Sequence, residues 1–435
     1  MLTAFVRAFR TPDLRKKILF TMGVMAVFRL GSVFPTPGVD YQAVQRCIDA
    51  QGDNSLYSLI NLFSGGALLQ LSVFALGIMP YITASIIVQL LVVVIPRFEA
   101  LKKEGQSGTA KLTQYTRYLT IGLAVLQSTG LVALARQPGQ LFTSCPNENI
   151  VYSDLGAFGI MLMVIIMTAG TGLVMWMGEL ITDRGIGNGM SLLIFTSIAA
   201  GFPSSLWGIK VQKGFEVFFA IIAAGLVLLA LVVFIEQGQR RIPVQYAKRM
   251  VGRRMYGGSS TYIPLKVNQA GVIPVIFASS LLYLPTLAVN MADRQNPPGW
   301  ATLVQRYFVT GDHPYYMLTY FGMIIFFTYF YVAITFNPTE VADNMKKYGG
   351  FIPGIRAGKP TAEYLDYVLS RITAPGSTYL AIISLIPIIA FGAFNANANF
   401  PFGGVALLIM VGVGLETVKQ IESQLQQRNY EGFLR

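Results

Sequence analysis

The residue types that usually carry catalysis or bind metals are scarce in this sequence. His313 is the one histidine among 435 residues, which excludes a histidine-rich metal site and argues against histidine-based catalysis. Cys47 and Cys145 lack the CxxC spacing of a metal or redox motif. No GxxxxGK[ST] phosphate loop occurs, and the glycine-rich run 185–189 fits a tight turn better than a dinucleotide fingerprint. The sequence therefore predicts no enzyme, no cofactor and no metal.

Amide and hydroxyl side chains, by contrast, are scattered through long apolar runs. The middles of those runs contain no Asp, Glu, Lys or His, so the coupling groups expected of a proton-driven carrier are missing. Sodium coupling through carbonyls and hydroxyls stays open. The ordinary role of such polar groups is interhelical hydrogen bonding. The amide and hydroxyl residues in or beside these runs include Thr83, Gln89, Gln127, Ser128, Asn268, Gln269, Ser279 and Ser280.

The composition indicates a membrane protein. The chain is 53% hydrophobic and only 12% charged, with a mean hydropathy of +0.54. A soluble domain carries about 25% charged residues, and a disordered chain needs low hydrophobicity, so both classes are excluded. The basic, amphipathic first residues predict no cleavable signal peptide.

Ten apolar stretches approach the roughly 20 residues that a helix needs to cross the hydrocarbon core. We therefore predict an all-α polytopic membrane protein. Its spans are Ile18–Phe34, Phe74–Ile95, Tyr118–Ala135, Leu155–Met177, Met190–Ile209, Val217–Ile235, Ala270–Met291, Tyr315–Phe336, Ile372–Phe394 and Phe400–Leu415.

Loop charges and span number predict the topology. Most of the 33 Lys and Arg residues fall in loops on the side that both termini share, which places the termini in the cytoplasm. Five spans lie on each side of the connection 210–216, so we expect two halves, 1–209 and 210–435, of opposite orientation. Cys47 and Cys145 then lie outside, where a disulfide and two unpaired thiols are both compatible with the sequence.

One segment does not fit a simple helix count. The 40 residues 56–95 carry no formal charge, yet a straight helix of that length would measure about 60 Å, twice the hydrocarbon thickness. The paired glycines Gly65 and Gly66 predict the break. Non-helical backbone at membrane depth persists only inside protein or beside water, so the piece before the break should occupy a cavity. An interfacial helix on the outer surface is the alternative.

Seven stretches in register resemble the SecY family, the central subunits of bacterial protein-conducting channels. They cover nearly the whole chain and are FSGGA (63–67), ALGIMPYI (75–82), KKEGQSG (102–108), TDRGIGNG (182–189), EQGQRRIP (236–243), KVNQAGVIP (266–274) and FIPGIRAG (351–358). The resemblance implies a clamshell of two pseudo-symmetric five-helix halves around a central pore.

The resemblance also implies which residues form the pore constriction and its plug. The predicted pore ring is aliphatic, with methionine at position 190 where the family leads us to expect isoleucine. The i,i+4 pairs in this set each share one helix face. The ring residues are Ile78, Ile82, Met190, Ile194, Ile276 and Ile409, and the plug, segment 56–70, includes Leu59, Ile60, Asn61, Phe63, Ser64, Gly65 and Gly66.

A lateral gate and a docking surface complete the expected sites. By resemblance, the gate between spans 2–3 and 7–8 is lined by Thr83, Gln127, Asn268, Ser280 and Leu284. Docking is expected at Arg253, Arg254 and Arg356 in the cytoplasmic loops 236–268 and 337–371. The positive-inside rule alone also accounts for these basic loops. The implied partners are the SecE and SecG subunits, the SecA ATPase, the ribosome, a translocating polypeptide with its signal sequence, and the lipid bilayer.

The predicted function is therefore a protein-conducting channel of the bacterial inner membrane. It would pass unfolded secretory polypeptides and release hydrophobic segments sideways into the bilayer. A ten-span secondary transporter of small solutes is the alternative, and a non-transporting membrane scaffold is a third. The missing titratable groups disfavour the transporter, and the expected plug and ring disfavour the scaffold.

Overall fold

A computed structural model describes residues 9–50, 66–136, 145, 149–152, 155–246, 249–251, 254–256, 260–290, 298–309, 313–394 and 404–433. Helices dominate this part of the chain. They are α1 Pro12–Gly31, α2 Tyr41–Ala50, α3 Met79–Val94, α4 Pro96–Lys103, α5 Gln106–Ala135, α6 Ala157–Arg184, α7 Gly189–Gln237, α8 Ile273–Asn290, α9 Gly299–Val304, α10 Pro314–Thr335, α11 Pro338–Lys347, α12 Lys359–Phe394 and α13 Gly404–Phe433. A π-helical turn, Gln305–Val309, extends α9.

A small antiparallel sheet accompanies the helices, which the all-α prediction did not include. Its strands run in the order β4–β1–β5, and β2 pairs with β3 as a separate hairpin. On β1 the buried residues Ile242 and Val244 alternate with exposed neighbours, so one face packs against Leu365 and Leu369 of α12. The strands are β1 Gln239–Tyr246, β2 Arg249–Val251, β3 Arg254–Tyr256, β4 Ser260–Lys266 and β5 Gly350–Phe351.

Every one of the ten predicted stretches overlaps a helix, but fewer of these helices are long and apolar enough to cross a membrane. Among the described residues, four are: Gln106–Ala135, Ala157–Arg184, Gly214–Gln237 and Pro314–Lys347. The α3–α4 pair, bent by 100°, makes a fifth if it is counted as one span. The chain is therefore a multi-pass membrane protein, and the number ten stays a prediction.

Helix α7 joins the two predicted halves. It runs from Gly189 to Gln237 and is broken at Gly214, whose φ of 82° and ψ of 179° are not helical. A positive φ costs glycine no steric penalty, which explains why the break falls at this residue. The break lies within the predicted connection 210–216, so a kink replaces the loop that the sequence suggested.

The start of the second predicted span was wrong. We expected a helix from Phe74, but α3 begins at Met79, and residues 66–78 are a non-helical segment that we call the buried strap. Positive φ values at Gly66, Leu71 and Gly77 interrupt any helix here. The Leu71 carbonyl accepts from the Thr36 amide (3.0 Å), which ties the strap to the chain that follows α1.

The apolar clusters follow the two halves. One cluster, around Cys47, Leu71 and Met167, contains only residues of the first half. Two others, around Ile324 and around Leu365, contain only residues of the second half. Two more clusters draw residues from both halves: a small one around Leu14 and Ile421, and the larger one that holds the candidate site.

Candidate functional site

All six predicted ring residues lie in one apolar cluster that draws residues from both halves. Ile78, Ile194, Ile276 and Ile409 are buried, and Ile82 and Met190 are partly buried in the same cluster. Residues that are distant in sequence therefore lie in one apolar cluster. Their role as a pore ring remains a prediction.

Three structural details position the first-half members of this set. Ile78 ends the strap, and its carbonyl accepts from the Ile82 amide at 3.1 Å as α3 begins. Asn188 caps α7, because its side-chain oxygen accepts from the Met190 amide at 3.1 Å. The Met190 thioether fits against Gly178 of α6, where a Cβ atom would overlap the sulfur. Met190 thus fills a space on the surface of α6 that any side chain larger than glycine at position 178 would occupy.

The chemistry of the set is uniformly apolar. Aliphatic side chains offer an ion no ligand, and a narrow hydrophobic constriction expels water. They also make no directional bonds, so they can yield to a chain of any sequence. Such a contact can block small ions and still deform around a polypeptide.

The strap that carries Ile78 is held by close packing on two sides. A Cβ atom on Gly170 of α6 would overlap the backbone carbonyl of Val73, and one on Gly31 of α1 would overlap the ring of Phe74. Phe74 in turn stacks on Phe28 with ring centroids 5.9 Å apart. Glycine at these two positions lets the helices approach the strap backbone directly.

The predicted plug falls almost entirely outside the described residues. The plug assignment therefore remains a prediction. The plug residues outside the described part are Leu59, Ile60, Asn61, Phe63, Ser64 and Gly65. Gly66 is described: its φ is +93°, and nothing lies within 4 Å of where its Cβ would be. The predicted break therefore includes a residue in a left-handed conformation.

The predicted gate residues are only partly described, so the gate remains a prediction. Thr83 and Gln127 are partly buried in α3 and α5, and Thr83 Oγ1 donates to the Met79 carbonyl. Asn268, however, donates its amide to Glu236 Oε1 (2.6 Å) and to the Gly271 carbonyl (3.2 Å), both in the second half. These two hydrogen bonds hold the Asn268 side chain at the base of the β1–β4 hairpin. The side chains of Ser280 and Leu284, on α8, lie outside the described part.

The docking arginines are only partly described. Arg253 is outside the described residues, and Arg254 lies in β3. Arg356 is exposed and follows a turn in which the Ile355 amide donates to the Ile352 carbonyl at 3.0 Å. Pro353 and Gly354 occupy its centre, and the φ of 83° at Gly354 matches a type II turn. This turn fixes the backbone that presents Arg356.

The structure also contains an ion pair that the sequence analysis missed. Arg117 of α5 donates from Nε and Nη2 to the two carboxylate oxygens of Glu179 on α6, each at 2.8 Å. A third bond, from Nη1 at 2.9 Å, reaches Gln114. The signal in the sequence is two opposite charges at the same end of neighbouring antiparallel spans. Bidentate pairs of this kind are strong and orient both side chains.

We expect Glu179→Gln to destabilise the protein by about 1–2 kcal/mol, because it leaves a partly buried guanidinium without its bidentate acceptor. Glu99→Gln is the matched control, since the Glu99–Lys103 pair is exposed and should contribute little. Thermal unfolding of the purified variants measures the difference. Equal melting temperatures for the two variants would show that the Arg117–Glu179 pair is energetically silent.

Cys47 and Cys145 form a disulfide, which settles the alternative that the sequence left open. Their Cα atoms are 5.8 Å apart and 98 residues separate them. Cys47 is fully buried on α2.

Comparison with solved structures defines the class of fold. "The structure of a protein conducting channel" matches 94% of this chain and 91% of its own, with a TM-score of 0.60 and 17% identity. "Sec61 in the Canine ribosome-channel complex from the endoplasmic reticulum" matches with the same coverage and identity and a TM-score of 0.59. The chain thus has the fold of protein-conducting channels.

Sequence comparisons identify the family. The SecY family model matches residues 72–418. A protein translocase subunit SecY from Streptomyces scabiei is 68% identical, and one from Mycobacterium tuberculosis (strain ATCC 25618 / H37Rv) is 60% identical, each over the full length of both chains. The chain belongs to the SecY family.

Proposed function

We propose that this chain is a protein-conducting channel, the pore-forming subunit of a protein translocase. It passes unfolded secretory polypeptides across the membrane and releases hydrophobic segments into the bilayer. Family membership and relatives named as translocase subunits support this proposal. The observation that carries it is that the six apolar side chains predicted for the ring, from both halves, lie in one buried cluster. Nothing in the comparisons supports the secondary-transporter alternative.

The proposed mechanism follows from that cluster. A polypeptide exposes amides and charges that are costly in hydrocarbon, so it needs a polar passage. An open aqueous passage would leak ions. The aliphatic ring resolves this conflict, because it excludes water when empty and moves apart when a chain enters.

The arrangement that we propose is a ten-span clamshell of the halves 1–209 and 210–435, with both termini in the cytoplasm of a bacterium and the spans in its inner membrane. The break at Gly214 and three apolar clusters that each lie within one half support the division. Segment 56–70 is proposed as the plug. The positive φ of Gly66, which lies within that segment, supports a change of chain direction there.

The test is contact between a chain in transit and the ring. A secretory polypeptide arrested midway should crosslink to a photoreactive residue at positions 78, 82, 276 and 409. The control position is 234, because Phe234 is 80% exposed on the outside of α7 and should face lipid. Equal crosslinking at position 234 and at the four ring positions would refute the assignment.

The lateral gate is proposed between α3 and α8, which touch across the two halves. A short thiol crosslinker between cysteines at positions 83 and 284 should block export, because the helices could no longer separate. Each single-cysteine variant serves as a control. Unchanged export by the crosslinked double variant would remove the gate from these positions.

Partners are proposed from the cytoplasmic surface. Arginine pairs well with phosphates and carboxylates, so exposed arginines suit ribosomal RNA or an acidic patch on a motor. A solved relative in a ribosome–channel complex supports the ribosome as a partner. By family resemblance we also propose the SecA ATPase, which would supply the energy, and the small subunits SecE and SecG.

We expect Arg356→Glu to reduce SecA-driven export about tenfold or more while membrane insertion stays normal, because reversing a charge at a docking contact costs several kcal/mol. Lys359→Glu, the same charge change just after the turn, is the control, since Lys359 is 88% exposed and only loosely paired with Glu363. Export rates in inverted vesicles measure both. Similar rates for both variants would place docking elsewhere.

A further inference from the structure

The Cys47–Cys145 disulfide closes a structural unit that neither the family comparison nor the pore accounts for. Three segments meet in this unit, which we call the outer cap: residues 34–47, residues 66–76 of the strap, and Cys145 with residues 149–152. The Asp40 amide donates to the Ile150 carbonyl at 2.8 Å, and the Tyr152 amide donates to Gly38 at 3.2 Å. The Val73 amide donates to Phe34 at 2.9 Å. Backbone hydrogen bonds thus link all three segments.

Side-chain packing joins the disulfide to the strap. Cys47, Leu71 and Ala75 are all fully buried in one cluster, against which Cys145 also packs. The cluster rests on α5 and α6 through residues such as Leu131 and Met167. Every member belongs to the first half of the chain.

The strap then leads from the disulfide to the ring. Leu71, Ala75 and Leu76 pack in the cap cluster, whereas Phe74 and Ile78 pack in the ring cluster. Neighbouring residues of one buried, non-helical segment therefore contact both clusters. A displacement of the cap must move the backbone that carries Ile78.

We propose that the Cys47–Cys145 disulfide is a brace, installed by a thiol oxidase on the extracytoplasmic side, that fixes the outer cap and thereby the position of Ile78 in the ring. Disulfides persist in oxidising compartments and are rare in the cytosol. Charge distribution along the chain independently places both cysteines outside. The functional part of this proposal rests on the channel function proposed above.

The chemistry is a two-electron exchange. One cysteine thiolate attacks the disulfide of the oxidase to form a mixed disulfide, and the second thiolate attacks that bond. The oxidase leaves as a dithiol, and the S–S bond between Cys47 and Cys145 remains. The two thiol protons that Cys47 and Cys145 lose are matched by the two that the oxidase gains.

The first test is the redox state and its effect on stability. Protein quenched with an alkylating reagent in intact cells should yield a peptide pair linked through Cys47 and Cys145. Reduction should lower the melting temperature by about 5–10 °C, because the bond closes a long loop. The Cys47→Ala/Cys145→Ala double variant should melt at the lower temperature and ignore the reductant. Full alkylation of both cysteines without reductant would overturn the proposal.

The second test is the seal. In planar bilayers, a reductant should raise the resting ion conductance of the wild-type channel severalfold and leave the double variant unchanged. A reduced wild-type protein that melts lower but seals equally well would refute the link to Ile78. Secretory transport by the oxidised protein is measured in parallel. If it fails while the melting and alkylation results hold, the channel function is wrong and the brace stands.

Discussion

Gly170→Ala is expected to destabilise the first half by about 3 kcal/mol or more and to abolish the accumulation of folded protein. The added methyl group would occupy the place of the Val73 carbonyl oxygen. Overpacking costs about 1–3 kcal/mol where side chains can shift, and more where they cannot. Here the obstacle is backbone, fixed by the hydrogen bond from the Val73 amide to Phe34. Strap and helix would have to separate, which would also displace Ile78.

Gly172→Ala is the matched control on the same helix. Its Cβ would meet only the Ile121 side chain, at an ordinary 3.6 Å. Replacing a helical glycine by alanine normally stabilises by about 0.5–1 kcal/mol, so this variant should melt at or above the wild-type temperature. Fluorescence-detected size exclusion and thermal unfolding compare the two. If Gly170→Ala accumulates and melts like Gly172→Ala, the strap is not clamped as described.

Ile276→Asn is expected to raise the resting ion conductance by about tenfold to a hundredfold. An amide in an apolar constriction holds water there, and water is what allows ions to pass. Placing an unpaired polar group in such a site shifts the balance between dry and wet states by about 1–3 kcal/mol, and each 1.4 kcal/mol is tenfold. Ile276 is only 7% exposed, so the substitution would act inside the apolar cluster.

Ile276→Val is the control, because it removes one methylene and keeps the ring dry. Both variants are reconstituted in planar bilayers at equal protein content, and conductance is recorded without substrate. If the valine variant conducts ions as well as the asparagine variant does, the volume of the side chain and not its polarity controls the resting conductance. If the asparagine variant conducts no more than the wild type, Ile276 does not line the ion path.

The length of an apolar run predicts where a helix lies but not where it ends. The predicted span begins at Ile372, yet the helix α12 that contains it begins at Lys359. Polar residues continue a helix into water without any apolar signal. The strands were not predicted for a related reason. Alternating buried and exposed residues indicate a strand, but the alternation at Ile242 and Val244 is short and lies inside a basic loop.

The clustering of the six ring residues could be anticipated because family resemblance supplied positions that no local pattern could bring together. The strap could not, because the positive φ of Leu71 is imposed by tertiary contacts and not by its own preference. Asn268 illustrates the same limit. The family resemblance assigned it to the gate, which stays a prediction. Its bond to Glu236, 32 residues away, could not be foreseen because it depends on how the hairpin folds back.

The clamp on the strap also has a consequence for biosynthesis. Gly170 follows Val73 by 97 residues, so at about 5–20 residues per second the ribosome adds it roughly 5–20 s later. During that interval the non-helical backbone at the entrance to α3 has no partner on its α6 side. The first six helices must therefore mature together, after α6 is synthesised, and a truncated nascent chain ending before it should be a target for quality-control proteases.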